Sequence, residues 1–578
     1  MGVEVMRVRS RLILLIIAMA VLLLLPTGCF KNNKVSGHVL IAGGTREYAR
    51  NALNAPNAAA LSEWAKWTER AGRVIASDNQ HDHAEWEIPN QFIVRYAFPE
   101  ALIRAEVTAH SLSGQRISRS GRTPAPDLAV FSFPDQTTAS TARQRIQAIP
   151  GIIAIQPNYL VRTQSIGALQ PLVENDRTRP GAQIGAQSGA QQFLSDARVA
   201  PADLWNLSRI RVPGAWDITS GNPEIIVAII DTGFKLDHPG LQDRWTAFKY
   251  DYVMKDTDPS VDNPSGANAS HGTHVAGIIA AADLGLPVVG IAPRIRLMPL
   301  RVLNDNGNGT LLNIRDAIYD AVDHGAAIIN LSLGTLNTDL LDEAIEYAHD
   351  HGVLLIAASG NGAEDGEPIL YPASHPLVVA VGAVDANDRR AVFSNHGPQI
   401  DVVAPGTEYF HSDSSCRGIL STIVKPDGAS GYGYLSGTSM SVPHVSALAA
   451  LLASTGISDP DAKRSWIRGT AIDLGPSGTD NEYGYGRIDA LNAVALPFTR
   501  VSLRAAPSGE PAAGPLAVNP DASFHFPHCP DGKWLLTVWV DSNFDLAVNS
   551  GDYYGELSTL ITIPGNNDDL LLAAGRIP

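Results

Sequence analysis

The sequence predicts an α/β protein with a parallel sheet at its centre and an all-β unit at its end, and three observations carry that expectation. Ile225 to Ile230 is a continuous apolar run closed by Asp231-Thr232-Gly233, the pattern of a strand buried on both faces. Helical stretches follow glycine-containing turns, one opening at His271 and one after Ser439. Beyond about residue 498 the helix–strand alternation stops. Phe524 to Phe526, Trp534 to Val540 and Leu557 to Ile563 then read as strands of a small β-sandwich.

The chain has 578 residues, 45% of them hydrophobic, which is material for several cores. A formal net charge of −16 speaks against a nucleic-acid partner and fits a soluble exported protein. Three cysteines in this length do not make a disulfide scaffold.

Taken in order, the N-terminus carries Arg7, Arg9 and Arg11, an apolar run from Leu12 to Leu25, then Pro26-Thr27-Gly28-Cys29. A basic patch, a short apolar stretch and small residues at the exit describe an export signal over 1–29. The Gly28-Cys29 pair resembles a bacterial lipoprotein box, which implies lipidation of Cys29 and attachment to a membrane. Ordinary signal cleavage is the competing reading, because Leu25 stands one place too far from the cysteine. Phe30 after the cysteine points by analogy to the outer membrane. Residues 30–89 form a polar, alanine-rich lead with a short strand at Val39 to Ala42 and no assigned role. Within 90–163, strands are expected at Gln91 to Tyr96, Leu128 to Phe133 and Ile152 to Tyr159, with a helix at Ala142 to Ala148. Residues 164–200 include the Gly/Ala/Gln tract Gly181 to Gln192, which has little to build a core from and reads as a flexible linker.

Four strings in the central part hold chemistry. They are Asp231-Thr232-Gly233, Ser270-His271-Gly272-Thr273-His274, Ala358-Ser359-Gly360-Asn361-Gly362 and Ser436-Gly437-Thr438-Ser439-Met440. A serine hydroxyl needs a base to take its proton, and His271 is the best placed imidazole. Asp231, at the carboxyl edge of a strand, would hold that ring in one tautomer. The Ser439 N–H and the Asn361 amide would face an oxyanion. Val442 to Ala453 reads as a helix with Pro443 in its first turn. His274 and His444 read as supporting residues.

With these motifs in the order Asp, His, Ser, residues 201–497 resemble the subtilase family of serine proteases, an order distinct from that of chymotrypsin or the α/β-hydrolases. The resemblance implies a three-layer subtilisin-like α/β domain with a mostly parallel sheet, preceded by an α+β prodomain at 90–163 and followed by the β domain at 498–578. It implies a catalytic triad of Asp231, His271 and Ser439, an oxyanion hole with Asn361, protein or peptide substrates, and no cofactor for catalysis. It places substrate-binding edges at Gly307 and Gly309 and at Ser332, Leu333 and Gly334, where a peptide would add as a strand. Leu311, Ile314 and Leu333 would line a pocket for an apolar side chain. Leu370, where relatives often have glycine, implies a shallow primary pocket. Gly240 and Leu284 depart from the calcium-ligating pattern of some relatives. Ser359 and Ser441 are further, minor departures.

The resemblance also implies a zymogen: the prodomain acts as intramolecular inhibitor and is removed by self-cleavage between Thr163 and Ala200. With the lipid on the prodomain side, processing would free the catalytic domain, and Ser439→Ala would accumulate as a membrane-bound precursor. Cys416 and Cys529 stand either as a pair joining the last two domains or as independent thiols. Asp541, Asn543, Asp545, Asn549 and Asp552 have the spacing of a calcium loop, but Leu546 replaces the turn glycine, and a metal-free hairpin reads equally well. The reading from another class is a binding or assembly protein that keeps the fold without its activity. Covalent labelling of Ser439 by an organophosphonate separates the two.

Overall fold

The computed structural model describes residues 35–41, 87–97, 99–119, 128–171, 204–336, 340–408, 418–505, 511–520, 523–526, 532–540, 553–556, 561–563 and 570–576. The three cysteines, the 181–192 tract and the calcium-loop candidates Asp541, Asn543, Asp545, Asn549 and Asp552 lie outside these residues.

The first part contains β1 (Val35–Ile41), β2 (Glu87–Tyr96), α1 (Pro99–Ser111), β3 (Gln115–Arg119), β4 (Leu128–Ser132), α2 (Gln136–Gln147), β5 (Ile152–Thr163) and β6 (Ile166–Pro171). Asp135 starts α2 by accepting from the Thr138 N–H at 2.8 Å, so the helix begins earlier than the apolar spacing suggests. Strands β2 to β5 pair antiparallel, and the buried residues of β2 and β4 alternate between two apolar clusters. Phe92, Val94 and Phe131 pack under α1 and α2 with Ala105, Ala142 and Ile146. Ile93, Leu128 and Val130 face the other way, into the apolar cluster of the central domain.

That central domain runs through α3 (Trp205–Arg209), α4 (Val212–Ala215), β7 (Ile226–Asp231), β8 (Tyr250–Asp251), α5 (His271–Ala280), β9 (Arg296–Arg301), β10 (Asn308–Thr310) and α6 (Leu311–Asp323). It continues with β11 (Ile328–Leu331), β12 (Leu333–Gly334), α7 (Asp342–Asp350), β13 (Leu354–Ala358), β14 (Val378–Val384), β15 (Val402–Pro405), β16 (Ile419–Val424), β17 (Ser430–Ser436), α8 (Thr438–Ser454), α9 (Pro460–Gly469) and α10 (Ala490–Ala495). Seven strands form a wholly parallel sheet in the order β15-β14-β13-β11-β7-β9-β8. Its two faces are both apolar, which gives three layers. Val227 and Ile229 of β7 join Val275 of α5 and Leu448 of α8, while Ala228 and Ile230 join Ile318 of α6 and Ile345 of α7.

The last part has β18 (Thr499–Ala505), β19 (Pro511–Ala517), β20 (Ser523–Phe526), β21 (Gly532–Val540), β22 (Tyr553–Glu556), β23 (Ile561–Ile563) and β24 (Leu570–Arg576). They pair in the order β19-β18-β21-β22-β24-β1-β20, with β23 beside β21. One member of this sheet, β1, comes from the opposite end of the chain.

Three expectations change. Gln164 to Pro171, assigned to a flexible linker, is held in place: β6 pairs antiparallel with β17, Tyr434 facing Gln170 and Ser436 facing Ile166. The helix expected from Val442 starts at Thr438, so Pro443 lies inside α8 and not in its first turn. The strand expected at Val39 to Ala42 spans Val35–Ile41 and belongs to the C-terminal sheet.

Candidate active site

Asp231 is the last residue of β7, an interior strand of the parallel sheet between β11 and β9, and is fully buried. Its Oδ1 accepts from the Thr232 N–H at 2.7 Å and from Nδ1 of His271 at 2.6 Å. His271 opens α5, and the Thr232 hydroxyl oxygen accepts from the Gly272 N–H at 2.9 Å, locking the helix start to the strand end. A carboxylate on Nδ1 puts that proton there and leaves Nε2 as the basic nitrogen. Nε2 is buried and has no partner among the described residues.

Ser439 is the second residue of α8, whose first N–H groups have no helical acceptor. Its hydroxyl donates to the Ser332 carbonyl at 2.8 Å and so is turned onto β11–β12 and not onto His271. Ser332 returns the contact, its hydroxyl donating to the Ser439 carbonyl at 2.9 Å. That carbonyl would have bonded the N–H of residue 443, which proline lacks. The carbonyl that Pro443 leaves without a helical donor is therefore satisfied by Ser332, between β11 and β12.

Asn361 follows β13. Its Oδ1 accepts from the Thr438 N–H at 3.0 Å and from the Thr438 hydroxyl at 2.9 Å. Two donors on the oxygen fix the amide plane and leave Nδ2, buried and without a partner among the described residues, as a donor.

What occupies the cleft is the chain itself. β5 inserts antiparallel between β10 and β12, with Val161 opposite Gly309, Arg162 opposite both Asn308 and Gly334, and Thr163 opposite Leu333. The Thr163 N–H donates to the Gly307 carbonyl at 3.1 Å. Gly307 has φ +82°, and a Cβ there would sit 2.6 Å from Thr163 Oγ1, so glycine is required for the strand to enter. Val161 is fully buried in the apolar cluster that holds Leu311, Ile314 and Leu333.

Gln164 then crosses the serine. Its carbonyl oxygen accepts from the Ser439 N–H at 2.8 Å, and its own N–H points at Ser439 Oγ at 2.9 Å. On the far side the Ser165 hydroxyl donates to Asn268 Oδ1 at 3.1 Å, and the Asn268 carbonyl accepts from the His271 N–H at 3.0 Å. Gly437 permits this approach: at φ +139°, a Cβ would lie 2.4 Å from the Gln164 oxygen and 2.8 Å from Ser165 Cα. The Gln164–Ser165 peptide is thus bracketed by Ser439, Gly437 and the loop that precedes His271.

Leu370, buried, fills the space between two backbones: a Cβ on Gly334 would meet it at 2.8 Å and one on Gly360 at 2.9 Å. The same Gly334 position lies 3.5 Å from Gln164 Nε2, so Leu370 stands where the residue-164 side chain is received.

His274 and His444 are wholly buried. Nε2 of His274 donates to the Ile419 carbonyl at 2.8 Å, and burial drives its pKa to about 3. Nδ1 of His444 donates to the Met440 carbonyl at 2.7 Å while Nε2 accepts from Asn206, and burial drives its pKa to about 4. Both rings are neutral, His274 tying α5 to β16 and His444 tying α8 to α3. Sequence reasoning named no role for Gln164, Ser165, Gly437 or Thr438; only Gly437 and Thr438 carried a signal, as members of the serine-containing string. Among the described residues no cluster of three or more His, Cys, Asp or Glu side chains is arranged to hold a metal ion.

Residues 222–486 match the model of the subtilase family. The chain is similar to the thermophilic serine proteinase of Bacillus sp. (strain AK1), 44% identical over 377 residues that cover 63% of this chain and 86% of that protein. It is also similar to thermitase of Thermoactinomyces vulgaris, 37% identical over 288 residues, 50% of this chain and 94% of the relative. Among solved structures, fervidolysin from Fervidobacterium pennivorans, described as a keratinolytic enzyme related to subtilisin, superposes with a TM-score of 0.59. That superposition covers 86% of this chain and 79% of the other at 24% identity, a likeness of fold.

Proposed function

This chain belongs to the subtilase family and is a subtilisin-like serine endopeptidase, and from that premise we propose that it is a zymogen whose first substrate is its own Gln164–Ser165 bond. One observation carries the proposal: the Gln164 carbonyl oxygen sits on the Ser439 N–H at 2.8 Å, with β5 paired in the cleft before it and β6 after it.

Asp231, His271 and Ser439 form the triad of this reading. The Ser439 hydroxyl swings from the Ser332 carbonyl to His271 Nε2, gives up its proton there and attacks the Gln164 carbon. Asp231 stabilises the imidazolium through the 2.6 Å bond to Nδ1. Negative charge develops on the Gln164 oxygen, held by the Ser439 N–H and by Asn361 Nδ2. His271 then returns the proton to the Ser165 nitrogen, which leaves as a new N-terminus. Water hydrolyses the acyl-Ser439 ester by the same base, freeing the Gln164 carboxylate. A foreign peptide would use the same edges, Gly307 and Gly309 on one side and Ser332 to Gly334 on the other.

In this reading, the α+β unit from Glu87 to Thr163 is the inhibitor, held by β5 and by Arg95, which pairs with Glu343 of α7 at 2.9 Å. Residues 1–29 are an export signal with Cys29 as lipid anchor, an assignment resting on the sequence pattern. Wild type and Ser439→Ala, both expressed in full, test the proposal. Wild type should yield a product beginning at Ser165, while the mutant stays whole. A mutant trimmed at the same bond would mean that another protease makes the cut.

A further inference from the structure

The strand that follows the candidate anchor is built into the far end of the molecule. β1 (Val35–Ile41) lies inside the C-terminal sheet, parallel to β24 through Gly37 to Ile41 and antiparallel to β20 through Val35 to His38. Among the described strands β20 pairs with β1 alone, so withdrawing β1 would strip β20 from the sheet and leave the edge of β24 bare. Unpaired edges of that kind are costly, and a strand supplied from another segment satisfies both at once. The Gln164–Ser165 bond separates β1 from β20 and β24 along the chain. Cutting it turns an internal strand into a donated one without breaking any backbone pairing in that sheet.

We propose that β1 is a retained strand: after cleavage the N-terminal fragment stays bound to the catalytic fragment through the C-terminal sheet. The mature enzyme is then two chains, and the sheet of the last domain is complete only with a strand from the segment removed. This rests on the zymogen reading for the cut but not for the pairing. It replaces the expectation that processing releases the catalytic domain. Cys29 lies a few residues before β1, so whatever it attaches to stays joined to the protease by backbone hydrogen bonds. The C-terminal domain thereby acquires a role, as the receptor for the chain's own N-terminus.

The prodomain also grips the cleft, so the test must separate the two holds. The full chain carries an epitope after Phe30 and, between residues 60 and 70, a recognition sequence for an unrelated site-specific protease. After treatment with that protease, denaturing gels report which bonds are cut, and epitope capture under native conditions reports what remains bound. The expected result is that the fragment holding β18 to β24 is captured with the epitope after both cuts, and that Val39→Pro, which removes an N–H from a central strand, lowers capture more than tenfold. Catalytic fragment appearing in the flow-through of the doubly cut wild type overturns the proposal, whether or not the variant folds. If the Gln164–Ser165 bond stays intact before the added protease acts, the zymogen reading fails. Capture after the engineered cut alone still decides whether β1 holds.

Discussion

The backbone of Gln164 meets Ser439 at both of its polar atoms: the carbonyl oxygen on the Ser439 N–H at 2.8 Å and the amide N–H on the hydroxyl at 2.9 Å. A bond held in this way has its carbonyl already at the helix N-terminus, where positive partial charge would favour an oxyanion. On the proposed self-cleavage, the step still to be made is rotation of one hydroxyl, which donates to the Ser332 carbonyl at 2.8 Å. Gly437→Ala therefore tests the site from the substrate side, since its Cβ would fall 2.4 Å from the Gln164 oxygen. Precursor should accumulate uncut although the triad is intact, and gel electrophoresis with N-terminal sequencing reads the outcome. Normal processing of this variant would mean that the peptide reacts in another pose.

In the proposed mechanism Asn361 acts on the chemistry and not on binding. Its oxygen is engaged by Thr438, so the only free function of the side chain is the Nδ2 donor. Asn361→Ala should lower kcat by ~10²–10³, the loss recorded when subtilisin is deprived of its equivalent amide, with KM nearly unchanged. Steady-state kinetics on a peptide substrate with the processed enzyme measure both constants. A rise in KM at constant kcat would assign Asn361 to ground-state binding.

Leu370 occupies volume that glycine would leave open between Gly334 and Gly360. Leu370→Ala should shift the preferred residue before the cut from small and medium side chains toward Phe and Tyr. A gain of ~10-fold in kcat/KM for aromatic peptides corresponds to about 1.4 kcal/mol of added burial. A peptide library cleaved by both enzymes gives the profile, and an unchanged profile removes Leu370 from the pocket.

How much of this was legible beforehand follows from what each element depends on. Ile225 to Asp231 announced itself because a strand buried on two faces must be apolar throughout. The strings around Asp231, His271, Asn361 and Ser439 were legible because the chemistry needs particular atoms at sharp turns. α1 was missed, and its pattern is blurred by the exposed Ile103 and Val107. The true start of α8 was hidden by Pro443, whose lost hydrogen bond is compensated by Ser332, distant in sequence. Gln164 to Pro171 carries no residue that marks it, because β17 and Ser439 supply its order. The place of β1 depends on partners at the other end of the chain, and no local signal encodes such pairing.

Val161 is the apolar anchor of β5, the inhibitory strand of the proposed zymogen, fully buried in the cluster that holds Leu311, Ile314 and Leu333. Val161→Asp would put a carboxylate among these buried apolar side chains, at a cost of at least ~2 kcal/mol. The grip of β5 on the cleft should weaken by more than tenfold. Processed enzyme would then show a correspondingly shorter lag before hydrolysing an added peptide, read by continuous fluorescence. An unchanged lag would place the inhibitory hold elsewhere, on the Arg95–Glu343 side of the unit.

Two of the buried histidines, His274 and His444, make stability depend on pH in a defined window. In the fold, burial holds His274 to about 3 and His444 to about 4, whereas an exposed imidazole takes its proton near 6.5. Between these values the unfolded chain binds protons that the folded chain refuses, so acid favours unfolding. Their contribution is complete above pH 6.5 and is lost as pH falls toward 4, by about 1.4 kcal/mol per pH unit for each ring. Urea denaturation of Ser439→Ala at pH 8, 7 and 5 should show almost no loss at the first step down and a steep one at the second. His444→Gln, which keeps a polar group near Asn206 but cannot titrate, should lower stability at pH 8 and make the drop shallower, while His274, the buried His238 and the half-buried His375 go on contributing. Equal slopes in the two proteins would mean that His444 is protonated in the fold, against its donation to the Met440 carbonyl and its acceptance from Asn206.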